Sequence, residues 1–122
     1  CCGGGGVPVI RDSSTGLYTG AQAVIDKDLC AAILARETGA ELLVIATDVD
    51  GVYTDWGTPR QRRIDHAKPS DLERSRFANG SMGPKVRAAC RFVRRTGQRA
   101  VIGSLEDIGD IVAGRAGTLI EP

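Results

Sequence analysis

The sequence has few aromatic residues and almost no net charge. Aromatic residues make up 4% of its 122 residues, too few for the stacking surfaces on which proteins bind single-stranded nucleic acid. The 16 lysines and arginines nearly balance the 15 aspartates and glutamates, so no overall positive field attracts nucleic acid or acidic membranes. No apolar run approaches the roughly 20 residues of a membrane-spanning helix. We therefore expect neither a nucleic-acid partner nor a membrane partner.

The cysteines do not have the spacing of a metal site. Cys1, Cys2, Cys30 and Cys90 contain no Cys-x-x-Cys pair, and the single His66 stands apart from all of them, so no metal-ligating residues are predicted. Cys30 and Cys90 fall at apolar positions of predicted helices, where a thiol packs as a small hydrophobic group. Free thiols are typical of a reducing compartment, and we expect a cytoplasmic protein.

Three common catalytic patterns are also missing from the sequence. The glycines form neither the phosphate loop of P-loop ATPases nor the Gly-x-Gly-x-x-Gly pattern of dinucleotide-binding domains. His66 has no serine or cysteine partner in the pattern of a nucleophilic enzyme. A P-loop ATPase, a Rossmann oxidoreductase and a triad hydrolase are therefore poor fits.

Glycine is abundant, and helical patterns alternate with strand patterns. The chain contains 16 glycines, and its apolar fraction is that of a globular protein. From Asp26 the apolar residues follow a helical period that ends at Gly39. Residues 42–46 are a continuous apolar run, which predicts a strand buried on both faces of a parallel sheet. A helix followed by a buried strand indicates an α/β fold, and the length suits one domain or part of one.

Three further helices are predicted in the second half of the chain. Ser70 and Glu73 have the spacing of a capping box, which predicts the start of a short helix. Pro84 is predicted as the first residue of a longer helix, which Gly97 ends. Ser104 is predicted to cap the last helix. These helices continue the α/β alternation.

Extended and irregular segments fill the rest of the chain. Residues 11–20 are polar and predict a hairpin tip, whereas residues 100–103 and 117–120 predict strands. Residues 55–67 are rich in arginine and predict an irregular surface stretch. Within that stretch, Trp56 could belong to the core or to a pocket wall, and we expect it to lie in the core.

Two lysines stand where a helix favours anions. Lys27 lies between Asp26 and Asp28 at a predicted helix start, and Lys85 follows a second glycine-rich loop at another. The helix dipole favours acidic residues at these positions, so helix stability does not explain the lysines. Free amides together with an ammonium group form a phosphate site. For Lys27 a solvated surface ion pair stays open as the alternative.

Two loops could bind other parts of a ligand. The loop of Gly3, Gly4, Gly5 and Gly6 follows a predicted strand end, so its amides could cradle a phosphate, although a flexible turn explains it equally well. Residues 47–53 follow the strand of residues 42–46, at the edge where open α/β sheets place ligands. An adenine could lie there with carboxylates near its sugar or a magnesium ion, and a capped turn is the alternative.

Taken in order along the chain, these motifs resemble the amino acid kinase family and, within it, the carbamate kinases. The most specific runs are residues 25–28 (Ile-Asp-Lys-Asp) and residues 80–85 (Gly-Ser-Met-Gly-Pro-Lys). The resemblance implies a three-layer α/β/α sandwich with a mostly parallel sheet. It also implies a phosphotransferase that moves a phosphoryl group reversibly between ATP and carbamate with Mg²⁺, giving ADP and carbamoyl phosphate, as in arginine breakdown. A homodimer is implied for the full-length protein.

The resemblance also assigns roles to individual residues. Lys27 and Lys85 would stabilise the transferring phosphoryl group, and Asp28 would organise the two lysines. The loop of residues 3–6 would lie near the substrate or its phosphate. The nucleotide would be bordered by five residues, namely Asp48, Val49, Tyr53, Met82 and Gly83.

Nothing in the sequence matches the family's amino-terminal part, which carries further glycine loops and another lysine. The resemblance therefore implies that residues 1–122 are the carboxyl-terminal, nucleotide-binding part of an amino acid kinase domain. In-line transfer needs both ends of the phosphate positioned together, so we expect this chain alone to have little or no kinase activity. Two alternatives stay open: a relative that acts on another small acid, and a regulatory nucleotide-binding module without catalysis.

Overall fold

The computed structural model describes residues 5–75, 77 and 81–122. The helices are α1 Lys27–Glu37, α2 Pro69–Arg74, α3 Met82–Thr96 and α4 Ile108–Val112, the last preceded by a 3₁₀ turn at Leu105–Asp107. The strands are β1 Val9–Arg11, β2 Tyr18–Gly20, β3 Leu42–Thr47, β4 Val52–Thr54, β5 Arg62–Ile64, β6 His66–Ala67, β7 Arg99–Ser104 and β8 Thr118–Ile120. Among these residues, none of the helices has both the length and the hydropathy that a membrane crossing requires.

A four-stranded sheet forms the centre of the structure, with the strand order β3-β7-β8-β6. β3 and β7 are parallel along their whole length, from Leu42 opposite Arg99 to Thr47 opposite Ser104. β6 and β8 are also parallel, while β7 and β8 are antiparallel. Two separate antiparallel hairpins, β1-β2 and β4-β5, flank this sheet.

Helices cover both faces of the sheet. Neighbouring residues of a strand point to opposite faces. On β7, Ala100 and Ile102 belong to the core cluster that α1 and α3 cover. Gly103 faces the other way, where an added Cβ would lie 2.8 Å from Ile111 of α4. The described residues therefore form an α/β/α arrangement around a mainly parallel sheet, as the sequence predicted.

α3 is the main core helix. Its buried residues recur at helical spacing and include Val86, Ala89 and Val93, and the helix also buries Phe92 to 1% exposure. Burial of one such large apolar side chain is worth about 2–3 kcal/mol. The predicted arginines of the opposite side are all exposed, and α3 ends at Gly97, whose φ of 71° suits glycine. The prediction for this helix is confirmed except at its start.

The starts of two helices differ from the sequence-based prediction. α2 begins at Pro69, whose fixed φ suits the first helical position, and Ser70 lies inside the helix, so the capping box with Glu73 was wrong. α3 begins at Met82, two residues before Pro84. Pro84 nevertheless lies in the first turn, where the missing N–H has no partner within the helix.

The segment predicted as irregular, residues 55–67, contains two strands, β5 and β6. β4 begins just before it and pairs with β5 as a hairpin, with Val52 opposite Ile64, and β6 joins the central sheet through β8. Trp56 is 61% exposed rather than buried in the core. Trp56 lies in the loop that joins β4 to β5, and backbone in such loops is seldom buried.

β3 is less buried than its apolar run predicted. Leu43 and Ile45 are buried under α1 and α3, whereas Val44 on the other face is only partly buried. That face is covered by α4, which is only five residues long. The predicted strand end at Cys1 and Cys2, two residues of the first glycine loop, Gly3 and Gly4, and two of the second, Asn79 and Gly80, lie outside the described residues.

Candidate functional site

The start of α1 places two charged residues next to each other. The N-cap is Asp26, whose carboxylate accepts a hydrogen bond of 2.9 Å from the backbone N–H of Leu29. This cap satisfies one of the free amides at the helix start and fixes where α1 begins. Lys27 and Asp28 are therefore the first two residues of the helix, and Asp28 is turned inward until only 8% of it is exposed.

The Asp28 carboxylate binds two lysines, one on each oxygen. Nζ of Lys27 lies 2.7 Å from Oδ1, and Nζ of Lys85 lies 3.1 Å from Oδ2. Lys85 is 57 positions further along the chain, and the packing of α1 against α3 brings it there. The Lys85 side chain is 14% exposed, whereas that of Lys27 is 51% exposed. One lysine is thus nearly buried, and the other reaches into solvent.

The charges of this lysine–aspartate cluster stabilise each other. Burial by itself raises the pKa of Asp28, but the hydrogen bonds from Lys27 and Lys85 outweigh it, so the pKa lies below its usual value. The hydrogen bond to Asp28 in turn raises the pKa of Lys27. Within the cluster itself two lysines face the Asp28 carboxylate, which leaves one formal positive charge. The Asp26 carboxylate also acts on Lys27 through its charge. Such a cluster attracts anions.

Two helix N-termini reinforce this positive charge. Lys27 is the first residue of α1 and Lys85 the fourth residue of α3, so both lie in an N-terminal turn. The first amides of each helix have no partner within the helix, and the dipole places partial positive charge there. Two helix ends and two lysines thus converge on one place, which is the arrangement expected of a phosphate-binding site.

A cavity of about 200 Å³ lies at the start of α3, the helix that carries Lys85. Its lining residues come from the end of β3, the β4–β5 loop, the segment between α2 and α3, and the start of α3. They are Thr47, Asp48, Val49, Trp56, Phe77, Ser81 and Met82. Met82 and Lys85 are three residues apart on α3 and therefore lie on the same side of the helix, about 5–6 Å apart at Cβ. The cavity is smaller than pockets that enclose a whole ligand, which span roughly 300–1,000 Å³. It suits one part of an elongated ligand, such as the base of a nucleotide.

Tyr53 supports this cavity from outside. Its hydroxyl donates a hydrogen bond of 2.7 Å to the Asp50 carboxylate, and its ring meets the Trp56 ring edge-on at 5.1 Å between centroids. The hydrogen bond to Asp50 raises the pKa of Tyr53. Tyr53 therefore does not line the cavity, but it holds the exposed Trp56 that does.

The predicted nucleotide residues fall in three places. Asp48, Val49 and Met82 line the small cavity, and Tyr53 stands behind it. Gly83 instead lines a second, larger cavity of about 890 Å³ between α1, α2 and α3. That cavity lies among the helices and not at the carboxyl end of a strand, where ligands of α/β sheets bind. The small cavity is therefore the better place for a ligand that also reaches Lys85.

The described part of the first glycine loop passes close to α1. Gly5 has a φ of 73°, and an added Cβ would lie 3.2 Å from the backbone oxygen of Ile25. An added Cβ on Gly6 would lie 3.9 Å from Sγ of Cys30. The loop thus passes beside Ile25 and Cys30, close to the start of α1. The positive φ of Gly5 favours glycine, and the approach to Ile25 leaves little room for a side chain.

Four residues that line the cavity were not among the predicted nucleotide residues, namely Thr47, Trp56, Phe77 and Ser81. Thr47 and Ser81 lie within the two motifs, residues 47–53 and 80–85, but neither was assigned a role of its own. Trp56 stands between Asp55 and Gly57, and an aromatic residue among polar turn residues could have been recognised as exposed. Phe77 carries no such signal.

No group of three or more metal-ligating side chains is found within the residues described. Asp48 is the carboxylate at the cavity, where it accepts a hydrogen bond of 3.0 Å from the Thr47 hydroxyl. Mg²⁺ commonly binds through one or two carboxylates together with the phosphates of a nucleotide, and does not need a cage of protein ligands. The side chains at the cavity are consistent with that mode of binding.

Comparison with known proteins gives consistent matches. The sequence profile described as the amino acid kinase family matches residues 4–104. The chain is 54% identical over 120 residues to a carbamate kinase of Haemophilus influenzae, covering 98% of this chain and 38% of that protein. It is 53% identical over 120 residues to a carbamate kinase of Escherichia coli O6:H1, covering 98% of this chain and 39% of that protein.

A solved structure agrees with the sequence matches. The carbamate kinase from Giardia lamblia bound to AMP-PNP superposes with a TM-score of 0.90 at 38% identity, covering 97% of this chain and 42% of that one. The chain therefore spans about two fifths of the length of the relatives that it matches. The matched profile extends over most of the chain and includes both lysines, and the chain belongs to the amino acid kinase family.

Proposed function

We propose that the chain is the carboxyl-terminal, nucleotide-binding part of a carbamate kinase. The full-length protein would transfer a phosphoryl group reversibly between ATP and carbamate, giving ADP and carbamoyl phosphate. The observation that carries this proposal is the lysine–aspartate cluster at two helix N-termini. The identity of about 50% to carbamate kinases supports the choice of substrate.

In this proposal the cluster stabilises charge on the transferring phosphoryl group. Phosphoryl transfer needs little covalent chemistry from the protein, so positioning and electrostatic stabilisation account for most of the catalysis. Asp28 holds the two ammonium groups in one place, since each of its oxygens binds one lysine. Lys85 is nearly buried, and a charge so shielded from water acts more strongly on a phosphate than an exposed one.

The nucleotide would lie along the start of α3. Its base would occupy the cavity beside Trp56 and Met82, and its phosphates would extend toward Lys85. The AMP-PNP bound to the Giardia lamblia protein supports a nucleotide on this part of the fold. Mg²⁺ would neutralise charge on the phosphates, and Asp48, the carboxylate that lines the cavity, would help to bind it. Carbamate or carbamoyl phosphate would approach from the side of the glycine loop.

We also propose a compartment, an oligomeric state and a pathway for the full-length protein. Cys30 and Cys90 are free thiols in the described structure, which fits a reducing compartment such as the cytoplasm. A homodimer is part of the proposal because the resemblance to the carbamate kinases implies it. Arginine breakdown with production of ATP is the pathway that the resemblance implies.

A regulatory module without catalysis is the second candidate. It would need the cavity for a nucleotide but would not need two lysines directed at a phosphate. The pairing of both lysines with one buried carboxylate favours the enzyme, because a charged cluster is costly to bury and its retention needs a use.

The experiment that tests the enzyme replaces Lys85 in the full-length protein. ATP formation from ADP and carbamoyl phosphate is measured with luciferase. We expect Lys85→Ala to reduce turnover by more than about 100-fold, because removal of one group that stabilises transition-state charge has an effect of that size. A fall of only a few-fold would contradict the assigned role.

The chain itself provides the control. Lys68 is the one lysine of the sequence that does not belong to the cluster, and it is exposed at the start of α2. Lys68→Ala should leave turnover within twofold of the unchanged protein. The same assay run toward acyl phosphate with carbamate, glutamate and aspartate as acceptors tests the substrate. Phosphorylation of glutamate or aspartate but not of carbamate would show a different member of the family.

A further inference from the structure

Thr118 is a fully buried polar residue at the start of β8, far along the chain from the cavity. It is 0% exposed, and it belongs to neither the lysine–aspartate cluster nor the cavity lining. Its hydroxyl accepts a hydrogen bond of 2.7 Å from the backbone N–H of Val52 and donates one of 2.5 Å to the backbone oxygen of Ile64. Both hydrogen-bonding directions of the hydroxyl are thus used.

The two partners of Thr118 stand opposite each other in the β4–β5 hairpin. Val52 and Ile64 are paired residues of the two strands. The hydroxyl stands between the amide of one and the carbonyl of the other, at the end of the hairpin nearest β8. It therefore joins the hairpin to the central sheet, since β8 is a strand of that sheet.

Thr118 also fixes the loop that leads from β3 to β4. An added Cβ on Gly51 would lie 2.8 Å from Oγ1 of Thr118, so the backbone of this loop is in close contact with the hydroxyl. Only three residues separate Val52 from Asp48 at the cavity. A short backbone segment therefore joins Val52 to Asp48 and Val49, both of which line the cavity.

A second contact holds the same loop against the start of β8. Nε of Arg63 lies 3.2 Å from the Asp50 carboxylate, and the Arg63 guanidinium donates a hydrogen bond of 3.3 Å to the backbone oxygen of Gly117. Asp50 in turn accepts the hydrogen bond of Tyr53, whose ring supports Trp56. The lining residues of the cavity on this side thus depend on contacts with residues 117 and 118.

We propose that Thr118 is a positioning residue for the nucleotide: its hydroxyl sets the position of residues 48–52 and thereby the affinity of the cavity. The inference rests on the proposed function. Thr118 touches neither phosphate nor base, so it should act on nucleotide binding and not on the transfer step. Replacement of the hydroxyl should raise the KM for ADP and leave kcat nearly unchanged.

The test uses Thr118→Val and Thr118→Ser in the full-length protein, with KM for ADP and kcat measured from ATP formation. Valine keeps the shape but leaves the Val52 amide and the Ile64 carbonyl without their partner. We expect KM for ADP to rise about tenfold in Thr118→Val, the size of effect that a lost hydrogen bond to a buried group gives. Thr118→Ser keeps the hydroxyl and should restore KM to within about twofold.

A matched control separates positioning from general destabilisation. Ile120 is fully buried on the same strand but is not bonded to the loop. Ile120→Val should lower the melting temperature and leave KM for ADP unchanged. Should Thr118→Val fail to fold, Gly51→Ala tests the same contact from the loop side and should also raise KM.

The outcomes are distinguishable from a failure of the proposed function. If the full-length protein without substitutions forms no ATP from ADP and carbamoyl phosphate, the proposed function itself is wrong. An active protein whose Thr118→Val variant keeps its KM for ADP within twofold would overturn the positioning role. An equal rise of KM in Ile120→Val would also overturn it, because the effect would then follow from stability alone.

Discussion

Asp28 is the residue whose replacement best separates charge from shape, because asparagine has nearly the same size but no charge. Asp28→Asn would leave Lys85 nearly buried without its counter-ion. We expect the free energy of unfolding at pH 7 to fall by about 2 kcal/mol, the size of a hydrogen bond to a charged group. Asp55→Asn is the control, since Asp55 is exposed and its φ of 50° is one that asparagine tolerates.

The pH dependence of this difference follows from the pKa of Asp28. Because its pKa is lowered in the folded state, the ion pairs contribute stability above the pKa of an unfolded aspartate, about 3.9. That contribution disappears as the pH falls through the lower pKa of the folded state. Urea unfolding should therefore show a large difference between Asp28→Asn and the unchanged chain at pH 7, and a smaller one at pH 3. A difference that is constant over this range would contradict the ion pairs as its source.

At the scale of the element, one glycine at the end of α3 and one at the start of α4 should respond in opposite ways to substitution by alanine. Gly97 has a φ of 71°, and nothing lies within 4 Å of an added Cβ, so only backbone conformation resists a side chain there. Gly97→Ala should destabilise the chain by about 1 kcal/mol. Gly109 lies inside α4 with ordinary φ and equally open space, so Gly109→Ala should stabilise it by about 0.5–1 kcal/mol.

Urea unfolding of the two variants checks both signs in one experiment. The two substitutions add the same methyl group, so a change in hydrophobicity alone would move both in the same direction. Equal shifts for Gly97→Ala and Gly109→Ala would show that the left-handed conformation does not terminate α3.

The elements that the sequence predicted well are those whose pattern is local. α3 buries one side at helical spacing and ends at a glycine, and both features are visible within about 15 residues. β4 and β5 were missed because each has three residues and is stabilised by its pairing across an intervening loop. The capping box at Ser70 was wrong because Pro69 starts the helix one residue earlier.

In the candidate site, too, the sequence predicted what depends on local pattern and missed what depends on contacts between distant residues. The positions of Lys27 and Lys85 at helix starts could be predicted from the sequence alone. Their shared binding to Asp28 depends on the packing of α1 against α3, which no local pattern specifies. Thr118 could not be found at all, because its two partners are 66 and 54 positions away along the chain.

At the scale of the whole molecule, the chain spans about two fifths of its relatives yet has a core of its own. Fourteen buried apolar residues from α1, α2, α3 and the strands form one cluster. The described residues include both the lysine–aspartate cluster and the lining of the small cavity. Binding of a nucleotide and transfer of its phosphate can therefore be separated by experiment on the 122-residue chain.

We expect this chain to bind Mg²⁺-ADP but to transfer no phosphoryl group. Calorimetric titration should show saturable binding of Mg²⁺-ADP and at least about tenfold weaker binding of Mg²⁺-GDP, because the proposed ligand is an adenine nucleotide, as is the AMP-PNP bound to the Giardia lamblia protein. ATP formation from carbamoyl phosphate should stay at background. In-line transfer needs both substrates positioned together, and we expect the glycine loop and the lysine–aspartate cluster of this chain to hold only one end of the transferring phosphate. A folded chain, as judged by circular dichroism, that binds neither nucleotide would place the base elsewhere than beside Trp56. Measurable ATP formation would show that the 122 residues hold both ends of the phosphate, and the carboxyl-terminal assignment of the chain would then be wrong.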